Sequence, residues 1–133
     1  THCLHTAVKF QSDTERRLAA ILDRDTLKWF RPARDQFKIY YKFGSDQPQY
    51  QPDFVAETDT ALYMLESKAK NEMNTPEVLA KRDAAVVWCD RATLYAATYK
   101  GKFWNYLLIP HDAIADNITL SALERDYRVL TDD

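Results

Sequence analysis

The stretch QPDFVAETDTALYMLESKA, residues 51–69, decides the fold, because its pattern predicts two β-strands joined by a short turn. Apolar and β-prone residues fill most of it, as expected of a buried hairpin. The same stretch carries Asp53, Glu66 and Lys68, whose charges are costly to bury unless they are paired. These three residues therefore need a reason to lie within a core hairpin.

The register of this hairpin predicts that the two carboxylates face each other. If residues 58–61 form the turn, Asp53 pairs with Glu66, and directly opposed residues have Cβ atoms roughly 4.5–5.5 Å apart. Side chains alternate across a strand, so Lys68 lies on the same face as Glu66, one pleat further along. The hairpin then presents two carboxylates and an ammonium group together.

Two opposed carboxylates repel each other unless a proton or a cation lies between them. Mg²⁺ suits such a pair, since it binds through one or two carboxylates and leaves other positions for water and a phosphate. We expect Mg²⁺ here, with Mn²⁺ as a substitute, and the carbonyl of Ser67 as a further oxygen ligand. Lys68 would face the attacking water and the scissile phosphate, where an ammonium stabilises developing negative charge. The pattern predicts metal-assisted phosphodiester hydrolysis.

An alternative interpretation is a salt-bridged trio in which Lys68 neutralises one of the carboxylates. The pattern Pro-Asp, twelve residues, Glu-x-Lys is degenerate and occurs by chance in many chains. The workable hairpin register and the apolar neighbours favour the metal site. The trio would instead suit a nuclease-like domain that binds DNA or a partner without cutting.

Composition limits the other classes of function. A chain of 133 residues with 46% hydrophobic residues fits one folded domain, and its net charge of −2 provides no global basic field for nucleic acid. No apolar run approaches the roughly 18 residues that span a membrane. The two cysteines, Cys3 and Cys89, lie outside any CxxC motif, so we expect a reducing, cytoplasmic location. We expect His2, Cys3 and His5 to be incidental rather than metal ligands.

Hydrophobic periodicity predicts an α-β-β-β-β-α-β-α order, in which one mixed sheet is flanked by helices. Ser12 to Glu15 form an S-x-x-E capping box before the first helix, and Thr75-Pro76 begins the second. Predicted helices cover 13–23 and 75–97, with short helical pieces from 111 and around 121–125. Predicted strands cover 27–30, 37–43, 53–57, 61–68 and 103–109, and residues 46–51 are predicted to form a polar loop.

Pro52-Asp53 followed by Glu66-Ser67-Lys68 resembles the active site of the PD-(D/E)XK nuclease superfamily. Further segments at 28–32, 50–55, 80–81, 88–89 and 104–111 resemble the C-terminal endonuclease domain of type III restriction enzyme-like proteins. In those proteins a helicase motor precedes the nuclease. The resemblance covers about residues 8–123, nearly the whole chain.

The resemblance implies an α/β fold with a restriction-endonuclease-like α-β-β-β-α-β core. It implies Asp53 and Glu66 as metal ligands and Lys68 as the catalytic lysine. Several members of the superfamily also use a glutamate of the first helix, which makes Glu15 a candidate catalytic residue. The capping box explains Glu15 equally well, and both interpretations stay open.

We therefore expect residues 1–133 to form a single Mg²⁺-dependent DNA endonuclease domain of a helicase-coupled restriction or defence protein. The chain starts at Thr1, so we expect it to be the C-terminal fragment of a longer polypeptide. Its expected partners are DNA, the helicase motor of the same polypeptide and a modification or specificity subunit, without a membrane.

Several second-rank residues complete the expectations. Positive side chains before and along the 37–43 strand, and beside the site, form a candidate stripe for DNA phosphates: Arg31, Arg34, Lys38, Lys42, Lys68 and Lys70. For any one of them, an ordinary solvated side chain is the alternative. We expect Lys81 and Arg82 on a solvated helix face, Glu57 to be exposed at the turn, and Tyr40, Tyr41 and Tyr50 to belong to the core rather than to stack on bases.

Overall fold

The computed structural model describes residues 12–131, and its framework is a four-stranded mixed β-sheet with helices packed on it. This confirms the mixed α/β class. His2, Cys3 and His5, which were expected to be incidental, lie outside the described residues. Within residues 12–131, no helix is both long enough and apolar enough to cross a membrane.

Three helices and six strands make up the described fold, together with two short 3₁₀ turns at Lys70–Glu72 and His111–Ala113. In chain order they are α1 (Asp13–Asp25), β1 (Lys28–Phe30), β2 (Ile39–Tyr40), β3 (Gln49–Tyr50), β4 (Phe54–Glu57), β5 (Ala61–Lys68), α2 (Pro76–Ala97), β6 (Phe103–Pro110) and α3 (Leu120–Tyr127).

The strand order in the main sheet is β1-β4-β5-β6. β1 and β4 are antiparallel, as are β4 and β5, whereas β5 and β6 are parallel. A parallel pair needs a long crossover connection, and α2 provides it between β5 and β6. Strands β2 and β3 form a separate two-stranded sheet.

The hairpin of β4 and β5 has the predicted register. Val55 lies opposite Met64, and Glu57 lies opposite Leu62. Extending this register by one pair beyond Phe54, the first residue of β4, places Asp53 opposite Glu66. The backbone therefore has the strand pairing that was expected to bring the two carboxylates together.

Two hydrophobic clusters cover the opposite faces of the sheet. Leu65 belongs to the cluster that contains the buried side chains of α1 and α3. Met64 and Tyr106 belong to the other cluster, which contains the buried side chains of α2 and of the β2–β3 region. Because side chains alternate along β5, Glu66 lies on the same face as Met64, towards α2.

Both predicted helix starts are confirmed by their caps. The Ser12 hydroxyl accepts a hydrogen bond from the Glu15 N–H at 3.2 Å, and the Thr75 hydroxyl accepts one from the Val78 N–H at 3.3 Å. Such caps satisfy amide groups that have no partner within the helix and typically contribute about 1 kcal/mol each. These contacts fix the first turns of α1 and α2.

The region between β1 and β4 differs from the prediction. Of the predicted 37–43 strand, Ile39–Tyr40 forms a strand and Phe43 forms an isolated bridge with Asp46. The predicted loop at 46–51 contains β3. The Tyr41 N–H donates to the Pro48 carbonyl, but Pro48 has no N–H with which to continue the ladder. The single strand predicted from alternation is thus a short hairpin that lies outside the main sheet.

Candidate active site

Glu66 is the buried centre of the candidate site. Glu66 is only 6% exposed, and its Oε1 accepts a hydrogen bond of 2.5 Å from the Tyr50 hydroxyl. The Tyr50 and Tyr106 hydroxyl oxygens are 2.9 Å apart. Since a phenol has one proton and that of Tyr50 goes to Glu66, Tyr106 donates to Tyr50. The pKa of each tyrosine hydroxyl is raised well above its ordinary value, and burial is the largest cause. Both hydroxyls therefore stay neutral and can donate hydrogen bonds.

Asp53 lies just before β4 and is half-buried. Its Oδ2 accepts two hydrogen bonds from Ser67, from the N–H at 3.0 Å and from the hydroxyl at 3.3 Å. Both bonds end on the same oxygen, so they fix the carboxylate without using Oδ1. The prediction that the Ser67 carbonyl is a metal ligand stays a prediction, because the contacts of Ser67 with Asp53 involve its other polar groups.

The two carboxyl groups interact directly. Burial raises the pKa of Glu66 well above its ordinary value, and the negative charge of Asp53 raises it further. The hydrogen bond from Tyr50 and the charge of Lys68 act in the opposite direction but do not outweigh these effects. Without a cation, the pair therefore favours a proton on Glu66.

Lys68 follows Glu66 on the same face of β5. Its Nζ lies 3.8 Å from Glu66 Oε2, and its side chain is 27% exposed. Lys68 also lines a surface hollow of about 420 Å³ together with Phe43 and Lys81. The ammonium group thus lies between the buried carboxylate and the protein surface.

Glu15 has a structural partner. Its Oε2 accepts a hydrogen bond of 2.7 Å from Arg31, whose guanidinium lies 5.4 Å from the centre of the Phe54 ring. The buried side chains of α1, the helix that carries Glu15, pack on the sheet face opposite to Glu66. The ion pair favours the structural interpretation of Glu15, while its catalytic role stays a prediction.

The candidate DNA-binding stripe is divided between different environments. Lys38 and Lys42 line a groove of about 610 Å³ between the β2 region and α2, and Arg91, which the sequence did not suggest, lies beside them. In contrast, Arg31 is paired with Glu15, and Lys70 lies 3.8 Å from Asp112.

The remaining second-rank residues also have partners. Lys81 lies over the Tyr41 ring at 5.6 Å and is not simply solvated, whereas Arg82 pairs with Asp83. Glu57, which was expected to be exposed, is half-buried. It is paired with Lys102 and Lys28.

The tyrosines were partly predicted correctly. Tyr41 and Tyr50 are buried in the core, as expected, whereas Tyr40 is 55% exposed at the groove. The hydrogen bonds that join Tyr50 to Glu66 and Tyr106 to Tyr50 were not predicted from the sequence. Tyr50 precedes Asp53 by only three residues, which is a weak signal, and the position of Tyr106 depends on the parallel pairing of β6.

The donor set of Asp53 and Glu66 fits a hard cation. Over residues 12–131, no group of three or more His, Cys, Asp or Glu side chains is arranged to hold a metal ion. A zinc site with four protein ligands is therefore not formed by those residues. Mg²⁺ needs only one or two carboxylates and fills its other positions with water and phosphate oxygens. The carboxylate repulsion at Glu66 is what such a cation would relieve.

No protein-family model matches the chain, and no curated protein matches it at a significant level. The functional assignment therefore depends on the geometry and chemistry described above.

Proposed function

We propose that this chain is an Mg²⁺-dependent DNA endonuclease domain of the PD-(D/E)XK type. The observation that carries the proposal is the hairpin register, which, extended by one pair beyond Phe54, brings Asp53 opposite Glu66, with the Lys68 ammonium 3.8 Å from Glu66. A buried carboxylate that is held beside a second one at an electrostatic cost is typical of functional sites.

The arrangement of elements supports the proposal. Apart from β2 and β3, the elements from α1 to β6 occur in the order α-β-β-β-α-β, which is the order expected of a restriction-endonuclease-like core. The small β2–β3 hairpin is an insertion between the first two strands of the main sheet. The candidate site lies at the end of the central β4–β5 hairpin that is opposite to the turn, where Asp53 directly precedes β4 and Lys68 ends β5.

The proposed chemistry assigns a role to each residue. Asp53 and Glu66 would hold the cation, and the Ser67 carbonyl is a third candidate ligand. Bound Mg²⁺ would supply Lewis acidity towards the phosphate and lower the pKa of a water molecule. Lys68 orients the attacking water and offsets the negative charge that develops on the phosphate. Glu15 is assigned no step, because its ion pair with Arg31 accounts for its burial.

The wider role is that of the cutting domain of a helicase-coupled restriction or defence protein. A helicase motor on the same polypeptide and a modification or specificity subunit would be its partners. The groove with Lys38, Lys42 and Arg91 offers sequence-independent contacts to DNA phosphates. Target choice would then belong to the partners.

Incubation of the protein with supercoiled plasmid and Mg²⁺ or Mn²⁺ tests this function. We expect nicking or cutting by the wild type and its loss in Asp53→Ala and in Lys68→Ala. Asp59→Ala, in the exposed turn, and Lys100→Ala, an exposed lysine outside the site and the candidate stripe, are matched controls that should cut normally. A wild-type protein that binds the plasmid but leaves it intact would support the alternative, a DNA-binding domain in which the three charges are structural.

A further inference from the structure

The two carboxylate oxygens of Glu66 have different surroundings. Oε1 accepts the 2.5 Å hydrogen bond from the Tyr50 hydroxyl, whereas Oε2 lies 3.8 Å from the Lys68 ammonium. Tyr50 in turn receives a hydrogen bond from Tyr106 at 2.9 Å. One oxygen is therefore held within the core, and the other faces the charged side of the site.

The hydrogen-bonded chain is rigidly supported. Tyr50 comes from β3, Tyr106 from β6 and Glu66 from β5, so three strands fix the three groups. The tyrosines are only 3% and 2% exposed, and their rings meet edge to face at 6.4 Å. Breaking the bond to Oε1 would leave a buried hydroxyl without its partner, which is energetically unfavourable.

This asymmetry matters for the choice of cation. Mg²⁺ requires near-ideal octahedral geometry, which a carboxylate that binds through both oxygens distorts, whereas Ca²⁺ accepts such bidentate carboxylates readily. The hydrogen bond from Tyr50 takes one lone pair of Oε1 and directs that oxygen towards a buried phenol, so Oε2, which faces Lys68, is the oxygen better placed to bind a cation. The hydrogen bond therefore disfavours the geometry that suits Ca²⁺.

We propose that Tyr50, supported by Tyr106, is a positioning residue that restricts Glu66 to binding a cation through Oε2 alone and thereby selects Mg²⁺ over Ca²⁺. This inference rests on the metal site of the proposed function. Tyr50 itself does not contact the cation, so its removal changes the affinity and selectivity of the site rather than its existence.

Cation titrations of the metal-free protein test the inference without measuring cleavage. Mn²⁺ binding is measured by calorimetry, and Mg²⁺ and Ca²⁺ affinities by displacement of Mn²⁺. In Tyr50→Phe we expect Mn²⁺ and Mg²⁺ affinity to fall by about 10–100-fold, the usual effect of losing a group that orients a ligand. Ca²⁺ affinity should fall much less, because Oε1 becomes available to it. Tyr106→Phe should change the ratio in the same direction by a smaller factor.

Tyr63→Phe is the matched control. Tyr63 lies on the opposite face of the same strand, where its hydroxyl donates to Glu124 at 2.9 Å, so all three affinities should stay at the wild-type values. Thermal unfolding checks that each variant is folded. If Tyr50→Phe does not fold, Tyr106→Phe carries the test, since it removes only the outer hydrogen bond.

Three outcomes separate the two proposals. If Mn²⁺ binding is lost in Asp53→Ala and the Mg²⁺ to Ca²⁺ ratio falls in both tyrosine variants, both proposals are supported. If Asp53→Ala abolishes binding but the ratio stays within about twofold of the wild type in both tyrosine variants, the metal site stands and the role of Tyr50 is wrong. If the wild type binds no cation, the metal site fails and this inference fails with it.

Discussion

The metal-free fold disfavours the ionised form of the Glu66 carboxyl group. Burial first, and then the charge of Asp53, raise its pKa in the folded state above the ordinary value of 4.5. The folded state thus binds this proton more tightly than the unfolded state does. The resulting stability is fully present below pH 4.5 and is lost as the pH rises through the folded-state pKa.

We therefore expect Glu66→Gln to be more stable than the wild type at pH 8 in EDTA, by on the order of 1 kcal/mol or more, since burial and the charge of Asp53 outweigh the support that Tyr50 and Lys68 give to the ionised form. The difference should shrink to near zero below pH 4. Urea unfolding at several pH values measures it. A Glu66→Gln protein that is less stable than the wild type at pH 8 would contradict this interpretation.

Glu57→Gln is the matched control, with the opposite sign. Hydrogen bonds from Lys102, the largest cause, lower the pKa of Glu57, so its contribution to stability is present above pH 4.5 and is lost as the pH falls through the folded-state pKa. We expect this variant to be less stable than the wild type at pH 8 and equal to it at low pH.

The sequence was sufficient to predict the pair of Asp53 and Glu66, because a hairpin register follows from local alternation and the turn. It was not sufficient to predict the hydrogen bonds that support Glu66. Tyr50, which donates to Glu66, lies 16 residues before it, and Tyr106, which donates to Tyr50, lies 40 residues after it. Contacts between such distant segments depend on packing rather than on local pattern.

At the scale of elements, the Glu15–Arg31 ion pair links helix α1 to the residue that follows β1. The Arg31 guanidinium also lies over the ring of Phe54, so the ion pair packs against the core. In Glu15→Gln we expect a loss of about 1–3 kcal/mol in the free energy of unfolding, because Arg31 loses a charge-assisted hydrogen bond. We expect Mn²⁺ affinity to stay unchanged.

Chemical denaturation and Mn²⁺ titration of the same Glu15→Gln sample distinguish the two roles of this residue. Arg31→Met should produce a similar loss of stability, and the double variant should lose less than the sum, since the two residues interact. A tenfold or larger loss of Mn²⁺ affinity in Glu15→Gln would instead identify Glu15 as part of the metal site.

The elements themselves were largely predictable, for physical reasons that vary along the chain. Helix α1 has a cap and periodic apolar residues, helix α2 has a cap and a proline at its first position, and β5 covers the predicted 61–68 strand. The β2–β3 hairpin was not predicted. The alternation at 37–43 arises because one side of this segment is buried, and it does not indicate how far the strand pairing extends. Pairing there is limited by Pro48, whose effect depends on which strand lies opposite.

At the scale of the molecule, the proposed DNA contacts depend on the groove that is lined by Lys38, Lys42 and Arg91 and also by Asp83. Lys38, Lys42 and Arg91 lie around an apolar floor that includes Trp88, and Tyr40 is exposed at its edge. Cations beside exposed aromatic rings favour contacts with phosphates and with bases. The sequence suggested two of these cations, but Arg91 joins them only through the packing of α2 against the hairpin.

Replacing the three groove cations by glutamine should weaken DNA binding at 100 mM salt. The slope of log K against log salt should become shallower by about 0.9 for each phosphate contact that is lost. Fluorescence anisotropy with a labelled duplex at several salt concentrations measures both effects. Metal binding should be unaffected, because none of the three residues contacts the candidate site.

A second triple variant controls for the change in net charge. Arg16, Lys100 and Arg125 are exposed cations outside the groove, and their replacement by glutamine alters the total charge equally. Equal losses of DNA affinity in the two triple variants would show that total charge matters and that the groove has no special role.

Calorimetric titration of the metal-free protein with MnCl₂ tests the two-carboxylate metal site most directly. We expect saturable binding by the wild type and by Asp59→Ala, whose carboxylate is exposed in the turn, and loss of binding in Asp53→Ala. Equal binding by the wild type and Asp53→Ala, or no binding by the wild type, would contradict the metal site.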